Sequence, residues 1–316
     1  MARFTSSLIS AGVAVMAGAL LLTGCSGDAG EPDSAPKGAA NTADINYHSA
    51  AGTPDADLRA MLPKDVADSG TLVIATDATI GEPFASYDDD NTTIVGLAPD
   101  LAYAIGDELG MNVELHHVVF ANLIPGLEAK RYQFSVAPML DTEEREKQVD
   151  FIDYIRGGSA FIVAKDGDQP RDLTVEDMCG LRVGVAQGSV EEIAMGEQTT
   201  KCTDAGKKPI EILSFKTNNE GILALTSDRA DVYATAAAQA GYIAKNDDQR
   251  LATSGDPFSS GLSGMAFPSE SPLLPVVQAA LQKLIDSGAY TDILASYGVD
   301  YLSVDRAGVN NEELDG

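Results

Sequence analysis

The chain has 316 residues, a formal net charge of −27 and 44% hydrophobic residues. That acidity leaves no basic footprint and excludes nucleic-acid binding, while length and apolar content suffice for two modest lobes. Beyond its three cysteines, no histidine is spaced to complete a zinc site, and no motif implies a metal or cofactor.

In chain order, Arg3 followed by the apolar stretch Leu8–Leu22 reads as an export signal over residues 1–24. The stretch is too short for a membrane span of about 20 residues. Leu22-Thr23-Gly24-Cys25 is similar to a bacterial lipobox, which implies cleavage before Cys25, a lipid on its sulfur and a place on the outer face of the cell membrane. An ordinary secretory signal is the alternative. Each buried acyl CH₂ adds about 0.8 kcal/mol of anchoring. From Cys25 to residue 64 the chain is rich in Gly, Ala, Asp, Ser and Pro and cannot bury enough apolar surface to fold alone. It is expected to be a flexible tether, spanning roughly 35 Å as a random coil.

Thr71–Asp77 is a short apolar run typical of a buried strand. Asp100–Leu109 carries apolar residues at helical spacing and stops at Gly110, a natural C-cap. Val113–Phe120 is β-rich, with His116 and His117 on opposite faces. Leu123–Leu127 opens a helix and Phe134–Leu140 reads as a strand. The pattern then restarts with a strand at Gly180–Ala186, a turn at Gln187-Gly188-Ser189 and a helix from Val190. Strands at Ile210–Phe215 and Asp231–Thr235 alternate with helices at Asn219–Ser227 and Ala236–Lys245. Gly264–Phe267 is a return strand, and Pro272–Gly298 a helical region broken at Gly288. Two α/β units with a late return predict a parallel-rich sheet in two lobes, with two crossings between them. With Cys25 lipidated, Cys179 and Cys202 remain as a pair. Outside the cytoplasm a disulfide is expected, with two separate buried thiols as the alternative.

Two spots carry candidate chemistry. Between Leu140 and Phe151, Arg145 stands among five acids. An arginine fork grips a carboxylate with two parallel hydrogen bonds. The alternative is a surface pair with Asp141, a contact of about 0.3–0.5 kcal/mol. At Gly188-Ser189-Val190, the unpaired N–H groups of a helix start favour an anion. A plain N-cap at Ser189 is the alternative.

Taken in order, several segments together resemble the bacterial extracellular solute-binding proteins of family 3, the polar amino-acid receptors of ABC importers. They are Gly70–Asp77, Glu82-Pro83-Phe84, Gly96 with Asp100-Leu101, Ile124–Leu127, Asp141–Phe151, Leu181–Val185 with Gln187-Gly188-Ser189, Ala224-Leu225, Arg229-Ala230-Asp231 and Ala280–Gly298. The Cys179/Cys202 pair resembles the disulfide of lipoprotein members from high-GC Gram-positive bacteria. The resemblance implies an α/β fold, a two-lobed periplasmic-binding-protein-like (type II) clamshell with two crossover hinge strands. Lobe 1 would comprise residues 69–163 and 261–305, and lobe 2 residues 164–260, leaving 306–316 as an acidic tail. Phe161–Ala164 and Ser254–Gly261 are the hinge candidates. The implied function is a monomeric, membrane-anchored receptor that captures a small carboxylate-bearing solute for an ABC permease, with no enzymatic activity. A dehydratase-like enzyme on the same fold, or a surface sensor that no longer serves transport, are the alternatives.

The resemblance also implies site residues. Arg145, with Thr142 ahead of it, would hold the ligand carboxylate, and Gly188, Ser189 and Val190 would add N–H donors. Three departures stand out. Leu140 replaces a Thr or Ser five residues before the arginine. Ile80-Gly81-Glu82 lacks an aromatic before Pro83-Phe84. Ala236, beside Thr235, stands where an acid would pair with the ligand ammonium. A buried ammonium without a counter-charge costs several kcal/mol. Either Asp77 or Glu82 substitutes, or the ligand is not an ordinary α-amino acid. Ala137 and Pro138 make the cleft less polar still.

Overall fold

The computed structural model describes residues 54–247 and 249–311. The export signal, Cys25, most of the tether and residues 312–316 lie outside the described residues. The described part opens with α1 (Ala56–Ala60) and α2 (Lys64–Ser69). Asp55 caps α1 by accepting from the Asp57 and Leu58 N–H groups. Leu58, Leu62 and Val66, four residues apart, are buried against the first lobe's core. Residues 54–64, assigned to the tether from composition, are therefore folded. Their apolar residues share one side, a spacing that composition does not register.

There follow β1 (Thr71–Thr76), the small hairpin β2 (Ser86–Tyr87) and β3 (Ile94–Val95), α3 (Leu97–Leu109), β4 (Asn112–His117), α4 (Leu123–Glu128), β5 (Phe134–Leu140) and the single turn α5 (Glu143–Glu146). A long strand, β6 (Val149–Ala164), leads to β7 (Arg182–Ala186), α6 (Val190–Asp204), β8 (Glu211–Phe215), α7 (Asn218–Thr226), β9 (Val232–Ala236) and α8 (Ala237–Asn246). A second long strand, β10 (Leu251–Pro268), returns to α9 (Leu274–Ser287), α10 (Ala289–Ser296) and β11 (Gly308–Val309).

Among the described residues the main sheet runs β4-β1-β5-β10-β6-β9-β7-β8. β4, β1 and β5 are parallel at one end, and β9, β7 and β8 are parallel at the other. β6 and β10 lie between them, antiparallel to each other, and pass through both lobes. β10 pairs with β5 through Ser263–Ala266 in lobe 1, and β6 pairs with β9 through Ser159–Ile162 in lobe 2. The β6–β10 ladder shifts register between Ser254 and Phe258, between Phe258 and Gly261, and between Ser263 and Gly264. The stretch between the lobes is thus Arg156-Gly157-Gly158 on β6 facing the irregular Gly255–Gly261 of β10. Phe161–Ala164, expected as a hinge, is in unbroken register with Leu251–Ser254 and is also paired with β9 through Phe161 and Ile162. It is held on two sides inside lobe 2.

Lobe 1 packs α3, α9 and α10 on its sheet. Leu97, Leu101, Ile105 and Leu109 form the inner stripe of α3 and are fully buried, and Gly110 ends the helix in the left-handed region. Phe134 stacks on Phe267 at 4.9 Å. In lobe 2, Val183, Val185, Val232 and Ala234 pack against Met178, Met195 and Cys202. Cys179 and Cys202 form a disulfide that fastens α6 to the segment entering β7. Residues 306–311, assigned to the tail from sequence, run back along the middle of the chain. β11 pairs with Ile152 and Asp153 of β6. The Asn310 side chain accepts from the Phe151 N–H at 2.7 Å, and Asn311 donates to Asp153 at 3.1 Å and Glu146 at 3.0 Å.

Candidate functional site

Where the two lobes face each other across β6 and β10, they enclose a cavity of about 360 Å³. Arg145 reaches it from the one-turn helix α5. Thr142 caps that turn, its hydroxyl accepting from the Arg145 N–H at 3.3 Å. Thr142 itself is not in the cavity wall; it fixes the turn from behind. The Arg145 side chain is only 8% exposed. Its Nη1 donates to the Leu140 carbonyl at 2.7 Å and its Nη2 to the Gly188 carbonyl at 3.2 Å. The guanidinium carbon lies 5.6 Å from the centre of the Phe120 ring. Both bonds go to carbonyls and none to a carboxylate among the described residues, so the alternative of a surface pair with Asp141 fails. Burial lowers the guanidinium pKa, opposed by Glu191 and then Asp141. Arginine nonetheless stays protonated in proteins. The result is a permanent buried charge with two of its five N–H donors engaged.

The start of α6 supplies the facing wall. Ser189 caps the helix, its hydroxyl oxygen accepting from the Glu192 N–H at 3.2 Å. The Gly188 N–H donates to the Glu192 carboxylate at 2.7 Å, and the Ser189 N–H to the Ala186 carbonyl at 3.2 Å. Of the three backbone donors expected for an anion, only that of Val190 has no partner among the described residues. Gly188 is also outside the cavity wall, while Ser189 and Val190 are in it. Ser189 serves as a cap by accepting, which leaves its hydroxyl proton available to the cavity.

Leu140, Thr235 and Ala236 all line the cavity. The Thr235 hydroxyl donates to the Gln239 side-chain oxygen at 2.7 Å. Asn218 donates to that oxygen at 3.0 Å and to the Ile80 carbonyl of lobe 1 at 2.8 Å. Gln239 donates to the same carbonyl, and the Tyr233 hydroxyl to Asn218. This network holds the two lobes shut over the cavity. Ala236 and Ala238 pack against the lobe-1 core. At position 236 the cavity wall therefore presents a methyl group and no carboxylate.

Of the two substitute acids expected, Asp77 lines the cavity and is 2% exposed. Its oxygens are engaged: Oδ1 accepts from the Thr79 N–H at 2.8 Å and hydroxyl at 2.6 Å, and Oδ2 from the Phe120 N–H at 2.8 Å. Glu82 is exposed and outside the cavity wall; Ile80 and Phe84 turn inward on either side of it. Sequence reasoning missed Glu191. It lines the cavity at 7% exposure, and one carboxylate oxygen accepts from the Ser159 hydroxyl at 2.6 Å. Glu191-Glu192 was visible as a pair of acids in a helical first turn, where acids complement the dipole. Nothing local says that Glu192 folds back as a cap while Glu191 turns into the cleft.

The family model for bacterial extracellular solute-binding proteins, family 3, matches residues 72–300. The arginine-binding protein ArgT of Corynebacterium glutamicum is 31% identical over 264 residues, 83% of this chain and 85% of that protein. An ancestral arginine-binding protein solved bound to arginine matches with a TM-score of 0.64 at 33% identity, over 72% of this chain and 98% of that one. The ancestral amino acid-binding protein AncCDT-1, a precursor of cyclohexadienyl dehydratase, matches with a TM-score of 0.66 at 29% identity, over 74% of this chain and 97% of that one. With two α/β lobes, two crossing strands and a cavity between them, this chain belongs to the bacterial extracellular solute-binding proteins, family 3, and has their type II periplasmic-binding-protein-like clamshell fold.

Proposed function

We propose that the protein captures a small carboxylate-bearing solute, an amino acid or a derivative, and delivers it to an ABC permease. Arg145 carries the reading. A buried cation with no carboxylate partner among the described residues costs several kcal/mol, and a ligand carboxylate would relieve that cost through the three donors still free. The Ser189 hydroxyl and the Val190 N–H supply further donors on the other lobe. The relatives named for arginine make arginine the first ligand to test. The lobes would close about Arg156–Gly158 and Gly255–Gly261, so that residues 159–163, assigned to lobe 1 from sequence, move with lobe 2, while residues 54–68 and 306–311 move with lobe 1. The protein works as a monomer held to the outer face of the membrane by a lipid on Cys25, and Cys25→Ser should move it from the membrane fraction to the medium.

Binding is the favoured role because the relatives are named as arginine-binding proteins. A dehydratase-like enzyme needs a general acid or base within reach of the substrate; Glu82, the candidate from sequence, is outside the cavity wall, and Glu191 is the carboxylate placed for that part. The test is thermal unfolding of the full chain with amino acids, opines, betaines and simple carboxylates. A ligand at 100 times its Kd should add about 2.7 kcal/mol of stability, and Arg145→Ala should abolish the gain. Equal stabilisation of the variant would show that the site is misassigned. Product released on mixing with a ligand would favour the enzyme, and silence across the panel would favour the surface sensor.

A further inference from the structure

We infer that Glu191, held by Ser159, is the subsite for a positively charged group of the solute, filling the role that Ala236 leaves vacant. The inference rests on the carboxylate-binding reading of Arg145. Two independent features of the cavity point to it. One is that Glu191 is a buried carboxylate facing the cavity with a single hydrogen bond, from Ser159, which is itself 1% exposed. Its other oxygen has no partner among the described residues. The other is that the remaining acid in the wall, Asp77, accepts three hydrogen bonds from its own loops. Of the two acids in the wall, Glu191 is the one with an oxygen that accepts no hydrogen bond among the described residues.

The placement also fits a zwitterion. Arg145 enters from lobe 1, while Glu191 sits next to Val190 at the start of α6 in lobe 2. A solute bearing both charges would engage one lobe with each end, and closing the cleft would satisfy two buried charges at once. The cation could be an α-ammonium or a side-chain guanidinium. Both present N–H donors to a carboxylate, and the choice of probes separates them.

The experiment is calorimetric titration of the full chain in detergent with four probes: L-arginine, 5-guanidinopentanoate, L-norvaline and pentanoate. Glu191→Gln keeps the shape and an acceptor for Ser159. It should weaken L-arginine roughly tenfold to a hundredfold and leave pentanoate unchanged or tighter. Weakening of L-norvaline but not 5-guanidinopentanoate assigns the α-ammonium, and the reverse assigns the guanidinium; either supports the subsite. Equal weakening of all four probes, or of none, overturns it. Should Glu191→Gln fail to fold, the parent alone decides: L-arginine must bind at least about tenfold tighter than pentanoate, and equal affinities overturn the subsite. Pentanoate binding that Arg145→Ala abolishes upholds the carboxylate reading even where the Glu191 inference falls. A parent that binds none of the four overturns both.

Discussion

Asp141 lies four residues before Arg145, yet its carboxylate is outside the cleft wall, 4% exposed, beside Asp153 and Glu146. Both its oxygens lack a hydrogen-bond partner among the described residues. Burial, then the charges of Asp153 and Glu146, push its pKa up to about 8, and burial pushes Asp153 up to about 6. The unfolded chain releases these protons near pH 4 while the folded chain keeps them. Stability from this pair is therefore greatest below pH 4 and is lost as pH rises through the raised folded-state values, the two carboxyls titrating as a pair. Asp141→Asn should flatten the upper part of that slope and raise the unfolding midpoint at pH 8.5; a variant with the parent's profile would refute the assignment. Residue types and family resemblance led to Arg145, Leu140, Ser189, Thr235 and Ala236, which the fold gathers around one cavity. They did not lead to Glu191, because its partner Ser159 is 32 residues away and only the tertiary fold turns one of two adjacent acids inward. For the same reason the Gly188 N–H looked free: its partner, Glu192, reads as an ordinary first-turn acid.

Among the elements, β1, β5, β7 and β9 were legible as short apolar runs, since strands covered on both faces lose the alternation of half-exposed ones. β6 was not, and of β10 only its end, Gly264–Phe267, was. Asp153, Arg156 and Gly157-Gly158 interrupt the first, and Gly255, Pro257 and Gly261 the second, residues that read as loop. They are strands because each finds the other about a hundred residues away. Gly255 shows how tightly that crossing is built: at φ +70° a Cβ would run into the Leu173 carbonyl. Gly255→Ala should cost more than about 1 kcal/mol, visible as a lower denaturation midpoint. On the other side of lobe 2, removing the Cys179–Cys202 bridge with paired alanines should cost about 3 kcal/mol in the chain-entropy model. Chemical unfolding with and without reductant checks this, and a reductant-insensitive parent would count against it.

For the molecule as a whole, Asn218 and Gln239 meet the Ile80 carbonyl across the cleft and favour closure without help from a ligand. Gln239→Ala should shift the lobes toward an open arrangement, enlarge the radius of gyration in solution scattering and weaken ligand binding in proportion to the closed fraction lost. The two-lobe architecture was legible because the α/β rhythm restarts after Gly180. The way the ends of the chain serve the middle was not. Asn311 donates to Glu146, on the turn that carries Arg145, and to Asp153 on β6, contacts that span 165 and 158 residues. Lobe 2 is nearly continuous in sequence, whereas lobe 1 needs β10, α9, α10 and β11 to return to strands made much earlier. A polypeptide emerging N-terminus first can therefore complete its second lobe while the first still waits with an open sheet edge. A nascent chain would present half a receptor, a finished lobe 2 beside an unfinished lobe 1, whereas one clipped near residue 306 would keep both lobes and leave the arginine turn without its brace.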